Sequence, residues 1–536
     1  MTEGPPMSKL LLAVAIFSLP LLTGCSCEQR LRNVPPPEEL PDAGPPPVPE
    51  LCNGVDDNAD GQIDEGFPTV TCGVGACTRE MPGCTNGAPT ECMPFNPGAE
   101  TCNGIDDDCD GMTDEELMPS MCGVGECATV APSCVEGTPA VCMPTTGNAE
   151  TCNGKDDDCD GTVDEDLLTN ASGDVRITEN PASSDYVYIG RGNNGFGVVW
   201  QDKRDGADGQ IYFTGLSATG ARLNGADQRV SNTNGSSVHP AVASSGNTWG
   251  LVYADDVSGN FELYFRKLNQ NGSPAGSAVK LTNANGRTDW PDVVWTGANY
   301  AVAYDDDRAG AQKHDIYFQR LDTNGTRLGG EVRVTTDGAR QSSPILKWNG
   351  TNFGLAWTDY RHGSNNREIY FRRLNADGSP LGGELRITND GADSAWPDLA
   401  WNDVDREWAL VWHDNRDGNQ EIYFARVGAD GARRGTDTRL TNAAAASTYA
   451  SIDWNGFQYG VSWQDERSGK PAVYFAPVSA QGVKNGADLR LSSGNGNAEF
   501  TTALWNGSTF AFCWRDSRNA PNDNTEIYFA LVGCAP

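Results

Sequence analysis

Three ten-residue stretches carry oxygen ligands far more densely than ordinary turns require: DDNADGQIDE at 56–65, DDDCDGMTDE at 106–115 and DDDCDGTVDE at 156–165. Their D-x-[DN]-x-D-G-x-x-D core sets side-chain oxygens at positions 1, 3, 5 and 9 of a tight turn, with Gly61, Gly111 and Gly161 supplying the bend. The predicted ligands are Asp56, Asn58, Asp60 and Asp64 in the first loop, Asp106, Asp108, Asp110 and Asp114 in the second, and Asp156, Asp158, Asp160 and Asp164 in the third. Hard oxygen donors suit Ca2+ and suit copper or zinc much less. Position 12, where a bidentate Glu would complete an EF-hand, holds Phe67, Leu117 and Leu167, so a final ligand must be borrowed from Asp114 or Glu115 and their counterparts. The alternative is a plain Asp-rich turn with no ion. Charge favours the ion: residues 26–166 hold 30 Asp and Glu against 4 Lys and Arg, about −26 of the chain's net −34. Carboxylates crowded to this extent repel one another unless cations neutralise them, and nucleic acid is excluded as a partner.

The loops recur every 50 residues with a cysteine framework. Cys52, Cys102 and Cys152 each open a Cys-Asn-Gly turn, and Cys72, Cys77, Cys84 and Cys92 return as Cys122, Cys127, Cys134 and Cys142. Thirteen cysteines in residues 52–166, a segment poor in apolar side chains, read as a disulfide scaffold in an exported chain. Zinc is the rival reading, but no His precedes His239. Connectivity is open, and Ala59, standing where Cys109 and Cys159 recur, leaves one thiol over for which Cys27 is a candidate. The wording C-N-G-x-D-D-D-C-D-G-x-x-D-E at 102–115 and 152–165 resembles the metal-binding repeat named for the surface protein MopE. Copper, also associated with that name, is not carried over, because no His lies nearby.

Most of the chain serves a different pattern. Trp200, Tyr253, Tyr304, Trp357, Trp412, Trp463 and Trp514 stand 51 to 55 residues apart, each followed by an Asp two residues on. A period of that length marks a repeat architecture. One unit holds four short strand-like runs, ILKW at 345–348, FGLAW at 353–357, EIYFRRL at 368–374 and LRIT at 385–388, bounded by turns such as Asn349-Gly350 and Asp377-Gly378. The fold is predicted to be all-β, a seven-bladed propeller over 175–533, preceded by the small disulfide-rich, loop-rich module at 51–168. The first unit opens with an outermost-type strand, Arg176-Ile177-Thr178, and the last ends after its third strand, so the N-terminal strand is expected to close the last blade. The repeated D-x-R, I-Y-F and R-[IL]-T words, as in Asp359-Tyr360-Arg361, Ile369-Tyr370-Phe371 and Arg386-Ile387-Thr388, resemble the TolB-like, WD40-like propeller repeat of bacterial envelope proteins.

The D-x-R pairs, among them Asp202/Arg204, Asp359/Arg361 and Asp516/Arg518, recur six times and read as scaffold, the Asp binding turn amides and the Arg bridging neighbouring blades. Less uniform are the residues just before each innermost strand: His239, Trp290, Ser343, Trp396, Tyr449 and Phe500, with Asp292 and Asp398 close by. If the innermost strands line the axis, aromatics and carboxylates surround a channel mouth suited to a sugar ring or a peptide; the alternative is that they wedge between blades. No catalytic constellation accompanies the four His (His239, His314, His362, His413), so the chain reads as a binding module rather than an enzyme. A glycan-active enzyme using Asp292 and Asp398 is the alternative.

The front of the chain supplies an address. An apolar stretch follows Lys9 and ends Leu22-Thr23-Gly24-Cys25, which looks like a bacterial lipoprotein signal over 1–24 with lipid on Cys25. Residues 25–50 then form a proline-rich linker, and Ser26 after the lipidated Cys points to the outer membrane or cell surface.

Overall fold

The computed structural model describes residues 48–151, 155–161, 167–206, 209–310, 313–519 and 524–534. They divide into two compact units, one running to Leu117 with Glu136–Thr138, the other comprising Met118–Val135 and Pro139 onward. No helix among the described residues is long and apolar enough to cross a membrane.

The cysteine-rich repeats have almost no core. Among the described residues before Ile177 the buried hydrophobic side chains are Cys77 and Cys127, while Met118, Met121, Val141 and Met143 are exposed. Disulfides hold the segment instead, and they come in two kinds. Cys52–Cys84, Cys72–Cys92 and Cys122–Cys142 close loops within a repeat, whereas Cys77–Cys109 and Cys127–Cys159 tie one repeat to the acidic loop of the next. Cys102 and Cys134 are also disulfide-bonded. Each crosslink of this span is worth roughly 3 kcal/mol through the unfolded state. The first loop has Ala59 at the position of Cys109 and Cys159, so it takes no link of this second kind. Cys27 and Cys152 lie outside the described residues. Gly75 and Gly125 sit against the following loop so closely that an added Cβ would lie 2.1 and 2.3 Å from the carbonyl oxygens of Asp106 and Asp156.

The propeller has seven antiparallel blades, as the 51-to-55-residue period predicts. In the fourth the strands are Gln341–Trp348, Phe353–Asp359, Glu368–Leu374 and Pro380–Arg386. The seventh takes Ala498–Trp505, Phe510–Asp516 and Glu526–Cys534 from the end of the chain and Val175–Arg176 from its beginning. The closing strand repeats the chemistry of the continuous blades. Arg176 donates to Glu526 Oε1 at 2.8 Å and Thr178 Oγ1 accepts the Ile527 N–H at 2.8 Å, as Arg386 does to Glu368 and Thr388 does from Ile369. An unforeseen strand, Leu168–Asn170, pairs with the far half of the same partner.

A carboxylate at the end of each second strand organises its blade. Asp359 is fully buried; Trp357 Nε1 donates to its Oδ2 at 3.0 Å, the Arg361 N–H donates to its Oδ1 at 2.9 Å, and the Arg361 guanidinium donates to Oδ2 at 2.6 Å. That guanidinium lies 4.1 Å over the Tyr370 ring, on which Trp357 also stacks at 5.9 Å. The same layers recur around Tyr212, Tyr423, Tyr474 and Tyr528. In the second blade Val257 stands in place of Arg, and the Tyr253–Tyr264 stack remains. Bridging between blades, expected from the sequence, is the lesser role of these arginines. These arginines chiefly reach outward within their own blade, Arg308 to Glu331 and Arg467 to Asp488, because the guanidinium is already fixed over that blade's tyrosine. Arg361 with Asp337 and Arg416 with Asp390 add contacts to the connection from the preceding blade.

The cores lie between blades. Ala400, Val411 and Phe424 of the fifth pack with Ile452, Tyr459 and Trp463 of the sixth, and Ile177 joins blades one and seven through Val198, Phe196, Ala511 and Phe529. At five junctions a phenylalanine of a third strand fits under a turn glycine of the next blade, among them Phe318 under Gly378, Phe265 under Gly325 and, around the closure, Phe529 under Gly220; after blade four, Gly431 meets Arg373 instead. Gly378→Ala puts a Cβ 2.2 Å from Phe318 at φ +89°, whereas Gly391→Ala at φ +81° meets nothing within 4 Å. The first substitution is expected to cost about 2–4 kcal/mol and the second about 1 kcal/mol. Melting curves of the two variants check this; equal losses would remove the steric account of the blade junction.

Candidate functional site

Every innermost strand breaks register at the same place. The ladder slips between Asp185 and Tyr188, Val238 and Ala241, Asp289 and Asp292, Ser342 and Ile345, Ala395 and Asp398, Thr448 and Ser451, and Glu499 and Thr502. Inside each bulge one non-glycine residue takes a left-handed backbone: Tyr186, His239, Trp290, Ser343, Trp396, Tyr449 and Phe500, with φ between 46° and 56°. Such residues cost roughly 1–2 kcal/mol each, and bulges serve to re-aim side chains. The bulge also explains why the inner strand of blade four begins at Gln341 rather than at Ile345, the start of the apolar run.

The re-aimed side chains line one cavity of about 220 Å³ at the propeller axis. Their rings form a continuous arc. Tyr186 meets His239 edge-on at 4.5 Å, His239 stacks on Trp290 at 3.8 Å, and Trp290 meets Trp396 at 5.0 Å across the gap left by Ser343. Trp396 then meets Tyr449 at 5.5 Å and Tyr449 meets Phe500 at 4.4 Å. Of the residues singled out in the sequence, His239, Trp290, Trp396, Tyr449 and Phe500 stand on this arc, and Tyr186 completes it. Behind it, Asp289 Oδ1 lies 2.6 Å from His239 Nδ1, and Arg515 lies 4.5 Å over the Phe500 ring.

Asp292 and Asp398 line the cavity below the arc with Lys347 and Ser451. Their oxygens are engaged. Asp292 accepts from Tyr188 Oη at 2.8 Å, from the Val293 N–H, and from the Leu346 N–H of the next blade at 2.8 Å. Asp398 accepts from the Leu399 N–H, from Ser451 Oγ at 2.7 Å and from the Ile452 N–H, again in the next blade. Asp453 accepts the Trp505 N–H of the blade after it at 2.7 Å. An innermost strand has no further strand to receive its axial N–H groups, and these carboxylates receive them. Burial pushes the carboxyls of Asp292 and Asp453 up, against the pull of Lys347. Burial also opposes the charged form of Lys347, yet Asp398, Asp453 and Asp292 hold its ammonium above the ordinary lysine value. The cavity floor therefore carries both signs.

The acidic loops bring together a set of carboxylates that only partly overlaps the one read in sequence. In the second, oxygens of Asp106, Asp108 and Asp110 lie within 4.8 Å of one another, as do those of Glu100, Asp108 and Glu115; in the third the group is Glu150, Asp156 and Asp158. Asp106 and Asp156 are only 7% and 6% exposed, and Oδ1 of each is buried with no hydrogen-bond partner, as are both oxygens of Glu115. Burial, together with Glu100, Asp110 and Asp108, raises the Glu115 carboxyl. Buried oxygens converging without a donor fit a cation. Asp64 and Asp114 turn away, each accepting the backbone N–H groups of its Cys-Asn-Gly turn, from Asn53 and Gly54 or from Asn103 and Gly104, at 2.8–3.2 Å. Asp164 lies outside the described residues, and Asp160 is not in the third group. The first loop is less charged: Asn58 Nδ2 donates to Glu65 at 2.8 Å, and Asp56 receives the Asp60 and Gly61 N–H groups. Glu100 and Glu150, which escaped the sequence reading, accept the N–H groups of loop residues at 2.7–2.9 Å, those of Asp107, Asp108 and Asp114 in the second loop and of Asp157 and Asp158 in the third; their signal was the same 50-residue recurrence, upstream of the cysteine.

Residues 45–65, 95–115 and 145–165 match the Cu-binding_MopE family, described as "Putative metal-binding motif". These three segments are MopE-type repeats. Each begins far enough upstream to include Glu50, Glu100 or Glu150. The MopE-type loops here offer oxygen donors, since the twelve described cysteines of the module are all disulfide-bonded. A search of curated proteins finds no match. Among solved structures the chain is similar to a protein of unknown function from Dyadobacter fermentans (11% identity, 69% of this chain and 100% of that one, TM-score 0.43). It is also similar to a subtype N10 neuraminidase-like protein of A/little yellow-shouldered bat/Guatemala (10%, 68% and 98%, 0.39) and to a GH43 endo-arabinanase from Bacillus licheniformis (18%, 46% and 96%, 0.30).

One histidine sets a pH limit on the arc. His413 Nδ1 accepts the N–H of left-handed Tyr449 at 3.3 Å, and burial, helped by Arg367, lowers its pKa from 6.5 to about 4. A depressed histidine stabilises the fold fully above pH 6.5, and that contribution is lost as pH falls toward 4. The melting temperature is expected to drop across this window, with a shallower drop in His413→Gln. Parallel curves for the two proteins would show that His413 does not carry the dependence.

Proposed function

We propose that this chain is a lipid-anchored, calcium-binding surface protein whose propeller binds glycans. The observation that carries the binding reading is the sevenfold bulge. The fold spends backbone strain in every blade to turn side chains toward one axial cavity, and five of those seven are Tyr, Trp or Phe. Aromatic faces stack on the C–H faces of sugar rings, and a floor of mixed charge with hydroxyls from Tyr188 and Ser451 suits a neutral polyhydroxyl ligand. A glycoside hydrolase would need Asp292 and Asp398 available to the ligand, and the neighbouring blades already occupy their oxygens.

The ion is read as Ca2+, on the all-oxygen donor set of the MopE-type loops and the oxidised state of the cysteines. The exported state that such disulfides imply agrees with a lipoprotein signal ending at Cys25, with the proline-rich linker holding the folded units off an outer membrane or cell surface. Cys25 and the linker up to residue 47 lie outside the described residues.

A glycan array probed with the full chain is expected to give hits that Trp290→Ala weakens at least tenfold with little change in melting temperature. Hits indifferent to Trp290→Ala and Trp396→Ala would move the site elsewhere, and turnover of a glycan abolished by Asp292→Asn would replace binding by catalysis. For the loops, chelation is expected to lower the melting temperature and millimolar calcium to restore it, affinities of extracellular sites of this kind being about 0.1–1 mM. Glu100→Gln should remove one calcium site by titration calorimetry; an unchanged stoichiometry would leave the loops as turns.

A further inference from the structure

We propose that the propeller carries a second saccharide site, on the opposite face from the aromatic arc, in the groove between blades one and two. The groove is a cavity of about 230 Å³ lined among others by Asn193, Asn194, Leu223, Asn224, Trp249 and Gln270. It lies at the turn joining the first and second strands of blade one, Ser184–Gly192 and Gly195–Asp202. The bulge carrying Tyr186 lies at the other end of that hairpin, where Ser184 pairs with Asp202.

One residue behind Leu223 and Asn224 departs from the repeat. In the register of second and third strands, the position facing Gly197 in blade one is Gly215, and the same position holds Lys267, Arg320, Arg373, Arg426, Pro477 and Leu531 in blades two to seven. Two of those long side chains cross to the following blade: Lys267 Nζ donates to Asn324 Oδ1 at 2.9 Å and Arg373 donates to the Ala429 carbonyl at 2.6 Å. Gly215 sends nothing across. The nearest atoms to a Cβ there would be Leu223 Cβ and Cδ1, each at 3.6 Å, and Asn224 Nδ2 at 3.9 Å, ordinary contact distances, and its backbone is not left-handed. Neither backbone conformation nor crowding demands glycine at this position.

The lining fixes the ligand class. In a chain of 112 charged residues, none of the groove's lining residues is Lys, Arg, Asp or Glu. Amides dominate instead. A primary amide offers both donors and acceptors, which is what a hydroxyl, itself donor and acceptor, requires. Part of the set is already braced: Gln270 Nε2 donates to the Gly246 carbonyl at 2.9 Å, Asn224 Nδ2 donates to the Asn271 carbonyl, and Trp249 Nε1 donates to the Gln270 carbonyl at 3.3 Å. The side chains of Asn193 and Asn194 make no hydrogen bond among the described residues and are exposed beside Leu223, which is 52% exposed. Unengaged amides beside an apolar surface recognise a neutral sugar: hydroxyls for the amides, a C–H face for Leu223. An anionic or cationic sugar would find no counter-charge.

The test uses saturation-transfer difference NMR on the full chain in detergent, with methyl β-glucoside, methyl β-galactoside, methyl α-mannoside and N-acetylglucosamine as probes, and glucuronate and glucosamine as charged counterparts. At least one neutral probe is expected to bind both the wild type and Trp290→Ala, in which the axial arc is broken. Gly215→Arg, which gives blade one the side chain of blade three, should weaken that binding at least tenfold. Leu223→Arg is the second variant, on an exposed side chain that does not bear on folding, and the same loss is expected. No transfer to any neutral probe in Trp290→Ala, undiminished transfer in both groove variants, or equal transfer to the charged sugars would each overturn the proposal. Loss of glycan-array signal in Trp290→Ala with groove binding retained would leave both sites standing, so the axial reading and this one fail separately.

Discussion

A buried carboxylate with three kinds of donor around it is the interaction on which the ring depends. At Asp359 and its counterparts Asp202, Asp414, Asp465 and Asp516, one side chain fixes the indole of its own strand, the backbone of the following turn and the guanidinium that caps the next strand's tyrosine. A charge buried this deeply is tolerable only when every lone pair is engaged, and here the engagement is also what aligns the strands. The arrangement is local to a blade. That locality lets the unit be repeated, and it leaves the junctions between blades to apolar packing, with phenylalanines set under turn glycines.

The axis poses the opposite problem. Seven innermost strands present unpaired N–H groups to a narrow space, and in three junctions an aspartate of one blade receives the amide of the next. The bulge above each of these strands interrupts pairing, adopts a backbone that non-glycine residues avoid, and so turns a side chain inward. Strain of this kind persists where the surroundings over-determine it, which a closed ring of seven does. Cohesion at the floor and recognition at the mouth thus come from adjacent residues of the same strand.

The period, the strand count and the closure of the ring were legible because they rest on local patterns: alternating apolar residues, turn glycines, and an R-I-T word whose only missing partner lay at the other end of the chain. The aromatic positions were legible as exceptions to the repeat. Their left-handed backbone was not, since nothing in Trp290 or Phe500 announces a positive φ as glycine would. Lys347 and Tyr188 escaped notice because each occurs in one blade alone, and the pinning role of Asp292 and Asp398 depends on amides more than fifty residues away. In the acidic loops, reading ligands from loop position alone placed Asp64 and Asp114 in the cluster. The structure shows their carboxylates taken up by the N–H groups of the Cys-Asn-Gly turns, while Glu100, which also accepts loop N–H groups, and Glu115 stand beside Asp108. Backbone amides compete for carboxylates as cations do, and spacing alone cannot decide that competition.

The disulfides that run from one cysteine-rich repeat to the loop after it make the array directional. Each unit offers one half of a link forward and one half backward, as Cys77 does to Cys109 and Cys127 does to Cys159. Insertion or deletion of a whole 50-residue unit therefore leaves thiol parity untouched, and every new loop arrives with its anchor already in the neighbour before it. Gene duplication can add or remove such repeats in fixed steps, without redesigning a core, because there is almost no core to redesign.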